Sequence, residues 1–146
     1  MIDMSEPSIK YAIREIEESD IENGGLLEVL ENLAPVGGLT RPAVAVVQED
    51  TEQGLVIGTT TLLVEPKFIF GGGRVGHIED VAVRAGYQTR GIGFKLVKYA
   101  TEQAVLMGCV RTVLDCSDKN IPFYEKIGYS YHGNTMKIQH NQYIVP

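Results

Sequence analysis

Cysteine, basic runs and long apolar stretches are all scarce in this chain of 146 residues. Its two cysteines, Cys109 and Cys116, are too few for a disulfide framework and are expected as buried residues of apolar type. Neither they nor His77, His132 and His140 show metal-ligand spacing, so no metal site is expected. No basic run or basic helix occurs, and the net charge is −6 with a pI near 5.0, which argues against a nucleic-acid or general membrane surface. No segment approaches the roughly 20 consecutive apolar residues that span a bilayer. Met1-Ile2-Asp3-Met4-Ser5-Glu6-Pro7 lacks the regions of a secretory signal, so an intracellular protein is expected, most simply a cytoplasmic one, with organelle import left open. No internal repeat or linker divides the chain. At 44% hydrophobic residues, 1–146 reads as one domain able to bury a normal core.

What is present begins with Gln88-Thr89-Arg90-Gly91-Ile92-Gly93, between an apolar stretch ending at Val83 and a helical run opening at Phe94. Two glycines let the backbone approach an anion, and the first turn of a helix leaves several N–H groups without internal partners. The helix dipole adds the equivalent of roughly half a positive charge at that point, so a pyrophosphate is the expected ligand. By spacing alone, a tight strand-to-helix turn is an equal reading. The Gly-x-Gly-x-x-Gly and Gly-Lys-Ser/Thr patterns are absent, so a dinucleotide-binding or P-loop site fits poorly.

Residues 9–16 roughly alternate, as a first strand does, and Ser19-Asp20-Ile21-Glu22 reads as a capping box before Leu26, Leu27, Leu30 and Leu33 at helical spacing. Gly24 and Gly25 weaken that helix, and Pro35-Val36-Gly37-Gly38 ends it, leaving a loop to Pro42 that could wall a substrate pocket. Strands are predicted over 43–49, 55–64 and 74–84, with hairpin turns at 50–54 and at Gly71-Gly72-Gly73. Ile92, Leu96, Val97, Ala100, Ala104 and Met107 give a long helix that Gly108 stops. A buried strand over 110–116, a short helix over 120–126 ending at Gly128 and a last strand over 129–138 complete the order. The class is α+β, a mixed and mostly antiparallel central sheet with flanking helices and one right-handed crossover carrying the glycine loop.

Gln88-x-x-Gly91-x-Gly93 resembles the acetyl-CoA pyrophosphate motif of the GCN5-related N-acetyltransferase superfamily. Within it, residues 76–83 (Gly-His-Ile-Glu-Asp-Val-Ala-Val) and 113–129, with Leu114-Asp115-Cys116, Asn120 and Phe123-Tyr124-Glu125-Lys126, resemble the glucosamine 6-phosphate N-acetyltransferases. The resemblance implies that superfamily's fold, acetyl-CoA as cosubstrate without a metal, glucosamine 6-phosphate as acceptor on the route to UDP-N-acetylglucosamine, and a homodimer. Three features depart from the pattern. The segment Gly37 to Pro42 is short where a further helix is usual, Leu33-Ala34 stands for Leu-Thr, and Gln139 stands where an arginine usually meets the sugar phosphate.

Residue by residue, the resemblance implies that Val81 and Val83 offer backbone groups to the pantetheine arm, and that Gln88, Arg90, Gly91, Ile92 and Gly93 form the cradle. Asn120 and Phe123 line the thioester channel, and Lys126 touches the coenzyme or is simply solvated. Asp115 orients the amine or accepts its proton, and Tyr124 protonates the departing thiolate. Read without the motif, Asp115 is a strand-end carboxylate and Tyr124 a core aromatic beside Phe123. Burial would raise the pKa of Asp115 while a substrate ammonium would lower it. Cys116 is structural, since no base near it in sequence would activate it. Glu79 and Asp80 are substrate ligands by resemblance; as neighbours they point to opposite faces of a regular strand, so a shared role requires a bulge. Lys137 is the substrate-phosphate candidate, with Lys119, His140 and Arg41 as further cations. Acetylation of another amine or of a protein terminus, and a non-catalytic acetyl-CoA-binding module, are the alternatives.

Overall fold

The computed structural model describes residues 11–22, 25–30 and 44–140. Strand β1 (Tyr11–Glu15) leads through helices α1 (Glu18–Glu22) and α2 (Gly25–Leu30) to β2 (Val44–Asp50), β3 (Leu55–Pro66) and β4 (Arg74–Val83). Helix α3 (Ile92–Leu106), β5 (Cys109–Val113), a single 3₁₀ turn (Asp118–Asn120) and α4 (Ile121–Ile127) follow. The sheet order is β1-β2-β3-β4-β5, antiparallel until β5, which returns parallel to β4 after α3. The fold is therefore α+β with a mixed sheet, as the hydrophobic periodicity predicts.

Alternation along β3 sends neighbours to opposite faces. Val56 packs with Leu26 and Val29 of α2, whereas Ile57 packs with Ile92 and Leu96 of α3. Helix α3 buries Ile92, Leu96, Val97, Ala100 and Ala104, one stripe at helical spacing. Gly58 brings this helix close to the sheet, because a Cβ there would meet Leu96 Cδ1 at 2.7 Å and Ile92 Cγ2 at 2.9 Å.

On β4 the alternation breaks. Thr59 pairs with Ala82 and Thr61 with Glu79, so Thr60 alone faces both Asp80 and Val81. This is a β-bulge, with Asp80 at φ 51° and Thr60 Oγ1 donating to the Glu79 carbonyl at 3.2 Å. Ile78 consequently joins the α3 cluster and Ala82 the α2 cluster, although they are four residues apart.

Arg84 ends β4 and fastens α2 to the sheet, its guanidinium donating to the Val56 carbonyl (2.7 Å), the Gly25 carbonyl (2.8 Å) and the Glu28 carboxylate (2.5 Å). Near β1, Arg14 donates to both oxygens of the buried Asp20 at 2.7 and 2.8 Å. That pairing holds the Asp20 carboxyl below its ordinary range.

Three expectations are corrected. Ser19 lies inside α1 and caps nothing; Asp20 accepts the Glu17 N–H at 2.8 Å, so the helix begins earlier than the predicted box. The predicted first helix is described as α1 and α2, and its residues 23–24 and Leu33 lie outside the described residues. Strand β5 ends at Val113, leaving Asp115 and Cys116 beyond the sheet. Residues 129–140 form no strand, because no described strand lies beside them to complete a ladder. The predicted pocket-wall loop ending at Pro42, with Leu33, Ala34 and Arg41, lies outside the described residues.

Replacing Gly58 with alanine forces the added methyl against Leu96 and Ile92. Overpacking of this kind costs roughly 1–3 kcal/mol, so a lowered denaturation midpoint is expected; an unchanged midpoint in urea would show that α3 can retreat freely.

Candidate active site

The site begins where two strands part. The last pair between β4 and β5 is His77 with Val113, yet β4 continues to Val83, so Ile78 to Val83 has no strand on its β5 side. Backbone N–H and C=O groups along such an edge need partners, and an extended ligand can supply them. Val81 and Val83 lie on this stretch, their side chains packed on the α3 clusters. The bulge leaves Glu79 and Asp80 both exposed, which regular alternation would not do.

Past Val83 the chain turns before α3 through Gly86 (φ 86°), Thr89 (φ 68°) and Gly91 (φ 76°). A left-handed threonine is strained by about 1 kcal/mol or more, and such residues gather where ligands are held. Gly91 is the N-cap of α3 and no side chain bonds the first-turn N–H groups, so these donors face outward beside exposed Gln88, Thr89 and Arg90. Ile92, by contrast, is buried and contributes only its backbone.

Gly93, Val83 and Phe123 converge. A Cβ on Gly93 would lie 3.5 Å from Phe123 Cζ and 3.6 Å from Val83 Cγ2. The glycine cradle, the open edge of β4 and α4 thus border one space. Pro122 opens α4 and Gly128 closes it in the left-handed region, so the helix is short and its aromatics are fixed in place. Phe123 meets Tyr124 edge-on at 4.9 Å between ring centroids.

Tyr124 is half-buried, and that burial, with smaller contributions from Cys116 and Tyr129, pushes its phenol above the ordinary value of 10.0. It therefore carries its proton at neutral pH. Tyr129 lies 6.2 Å from Tyr124 by ring centroids, and its hydroxyl is 2.6 Å from Thr101 Oγ1 on α3. Thr101 already donates to the Val97 carbonyl, so Tyr129 is the donor in that pair. This contact ties the end of α4 to α3.

Asp115 is exposed, not buried as expected from an apolar strand, because it lies two residues past the end of β5. Its Oδ1 accepts a hydrogen bond from Thr135 Oγ1 at 2.7 Å, leaving Oδ2 free of any described partner. Sequence reasoning missed Thr135, since nothing local marks a tail residue that returns over 20 positions. It likewise missed Thr60, Thr101, Tyr129 and Arg84 as supports.

Cys116 is exposed near Tyr124 and Cys109 only partly buried, so neither is the core residue expected of it. Asn120 is exposed at the start of α4. Lys126 and Lys137 are exposed and make no ion pair among the described residues. Lys119 and His140 are exposed too. No group of three or more histidine, cysteine or acidic residues among the described residues could hold a metal.

The chain as a whole is similar to known proteins. A glucosamine 6-phosphate N-acetyltransferase of Trypanosoma brucei brucei is 36% identical over 141 residues, covering 89% of this chain and 96% of its own. One from Schizosaccharomyces pombe is 45% identical over 92 residues, covering 63% of this chain and 83% of its own. The crystal structure of the Arabidopsis thaliana glucosamine-6-phosphate N-acetyltransferase superposes with a TM-score of 0.77 at 31% identity, covering 92% of this chain and 99% of that one.

A side chain at position 91 would both strain the left-handed backbone and stand in the cradle. Gly91→Asp should weaken acetyl-CoA binding by about 10-fold or more while the protein stays folded, given that one charge-assisted hydrogen bond is worth ~1.5–3 kcal/mol. Titration calorimetry on a folded variant with unchanged affinity would contradict the cradle. The model of the Acetyltransferase (GNAT) family matches residues 11–129, and the chain belongs to that family.

Proposed function

We propose that this protein transfers the acetyl group of acetyl-CoA to the 2-amino group of glucosamine 6-phosphate, giving N-acetylglucosamine 6-phosphate and CoA on the route to UDP-N-acetylglucosamine. The observation that carries the reading is the bulge. It exposes the Glu79–Asp80 pair, two acceptors for an amino sugar's hydroxyl and ammonium groups, on the strand whose last residue, Val83, meets the cradle and Phe123 at Gly93. The relatives' substrate supplies the sugar's identity.

The residues present fit the coenzyme. First-turn N–H groups of α3 and the left-handed loop suit a diphosphate, and the unpaired edge through Val81 and Val83 suits an amide-bearing arm. Acetyl-CoA supplies an activated acyl group, so no covalent enzyme intermediate is needed. The chemistry then asks three things of this chain: a neutral amine, alignment with the thioester, and a proton for the departing sulfur.

Asp115 meets the first. Thr135 fixes its Oδ1, and the free Oδ2 accepts a proton from the substrate ammonium or holds the amine in line. As the amine nitrogen bonds to the acyl carbon and the carbon–sulfur bond breaks, negative charge gathers on sulfur. Tyr124 donates its proton to the sulfur, and the proton that the nitrogen sheds on becoming an amide replaces it on the phenol. A phenol raised above 10.0 stays protonated across the physiological range, so donation does not depend on pH there. Phe123 excludes water beside that contact, and Asn120 and Lys126 border the coenzyme.

The sugar phosphate brings close to two negative charges to a protein of net charge −6, so local cations must offset the repulsion. Lys137 is the residue assigned to it. The tail that carries Lys137 also exposes Tyr131, Met136 and Ile138, at 70%, 93% and 79% of their full accessibility. A second copy pairing with residues 129–138 would bury them and seat Lys137, so the active form is a homodimer on this reading. No helix among the described residues is long and apolar enough to cross a membrane.

Thiol release should favour glucosamine 6-phosphate over glucosamine in kcat/KM; equal values would refute the phosphate specificity, and turnover of neither sugar the acceptor itself. Tyr124→Phe and Asp115→Asn should lower kcat by ~10²–10⁴, the usual value of a positioned acid or base. Near wild-type kcat in both would reject the assigned roles. Light scattering at micromolar concentration is expected to give twice the 16.0 kDa chain mass, and a monomer would reject the shared tail.

A further inference from the structure

One cation stands in the cradle, and its position is set by groups outside it. The Arg90 guanidinium lies 5.0 Å over the ring of Tyr87, within cation–π range. That ring packs on the Ile57, Ile92 and Leu96 cluster beneath α3. Its hydroxyl reaches Oδ2 of Asp50 at 3.5 Å, a long hydrogen bond to a carboxylate only 2% exposed. Asp50 is itself held, its Oδ1 accepting the Glu52 and Gln53 N–H groups of the β2–β3 turn at 3.1 and 3.3 Å. A surface arginine is thus tied through an aromatic face and a buried carboxylate to a hairpin two strands away.

The direction of this tether matters. The reacting end of the coenzyme site is the space between β4 and α4, where Val83, Gly93 and Phe123 converge, on the β5 side. Asp50 belongs to β2, so Tyr87 leans the other way across the sheet. Backbone donors already serve the diphosphate. Arg90, stacked on the Tyr87 that reaches toward β2, is on the coenzyme reading on the flank away from the thioester, where the nucleotide half of the coenzyme would leave the cradle.

We propose that Tyr87, steadied by Asp50, is a positioning residue that holds the Arg90 guanidinium at the nucleotide end of the site, where it binds the ribose 3′-phosphate of CoA. The inference rests on the coenzyme reading above and deepens it. A guanidinium forks onto two phosphate oxygens, and stacking on Tyr87 fixes the plane of that fork before the ligand arrives. In a protein of net charge −6, a dianion at the rim gains most from a cation already in place.

Calorimetry with CoA and 3′-dephospho-CoA tests this without turnover. The wild type should prefer CoA by about 10-fold or more, the worth of one charge-assisted contact. Arg90→Ala should bring the ratio near one, because CoA loses more affinity than 3′-dephospho-CoA does. Tyr87→Leu, which keeps apolar bulk against Ile57 and Leu96, should lower the ratio by roughly two- to five-fold, the range of an exposed cation–π contact. Tyr87→Phe, which keeps the aromatic face, should retain most of it. The inference fails if Arg90→Ala keeps the preference, if Lys95→Ala removes it instead, or if Tyr87→Leu weakens both ligands equally. Equal wild-type affinities would overturn this inference alone. Binding of neither ligand would overturn the coenzyme reading and this inference with it.

Discussion

One extra residue in β4 is the constraint on which the rest depends. Without the bulge opposite Thr60, Ile78 and Ala82 would share a face, and one of the two helix layers would lose a core residue. With it, α2 and α3 both seal, and Glu79 and Asp80 turn outward together. Asp80 sits at φ 51°, which acidic and amide side chains tolerate better than most. Core packing and the exposure of Glu79 and Asp80 therefore have one cause. Flattening the bulge would disturb both.

The site's electrostatics follow from how the cations are distributed. Arg14 is engaged by Asp20 and Glu49, Arg84 by Glu28 and Lys67 by Glu65, so these side chains organise the fold. On the proposed reading the cradle relies instead on backbone N–H groups, which carry no counter-charge and need no desolvation of an ammonium. This suits an acidic protein, because the attraction is short-ranged and fixed in direction.

Much of this was legible in the sequence, and for identifiable reasons. The stripe from Ile92 to Ala104, the strands to either side of the Asp50–Gly54 turn, and Gly108 and Gly128 as stops are local signals, and local signals survive tertiary packing. The bulge was legible as a conflict: two adjacent acids cannot share a face unless the strand breaks. What failed was non-local. The tail from Tyr129 alternates like a strand, but a strand exists only if an edge receives it, and no described edge does. Asp115 was expected to be buried because its neighbours are apolar, yet β5 stops two residues short of it. Thr135 on Asp115 and Tyr129 on Thr101 join positions 20 and 28 residues apart, for which no local pattern exists.

Helix α3 gives the two ends of the site a common reference. Its first turn presents the cradle, and Thr101, ten residues on and about 15 Å along the axis, receives the Tyr129 hydroxyl that fixes the end of α4. Tyr124 is thereby located relative to the same rod that locates the diphosphate donors. The remaining groups, Glu79, Asp80 and the open backbone edge, are located by β4. Only the registration of α3 on the sheet joins the two sets, and Gly58 lets Ile92 and Leu96 seat at the close separation that fixes it. A shift of the helix by even a fraction of an ångström moves Tyr124 and the glycine loop together relative to Glu79 and Asp80. Alignment in this site is accordingly a matter of helix-on-sheet packing more than of any single polar contact.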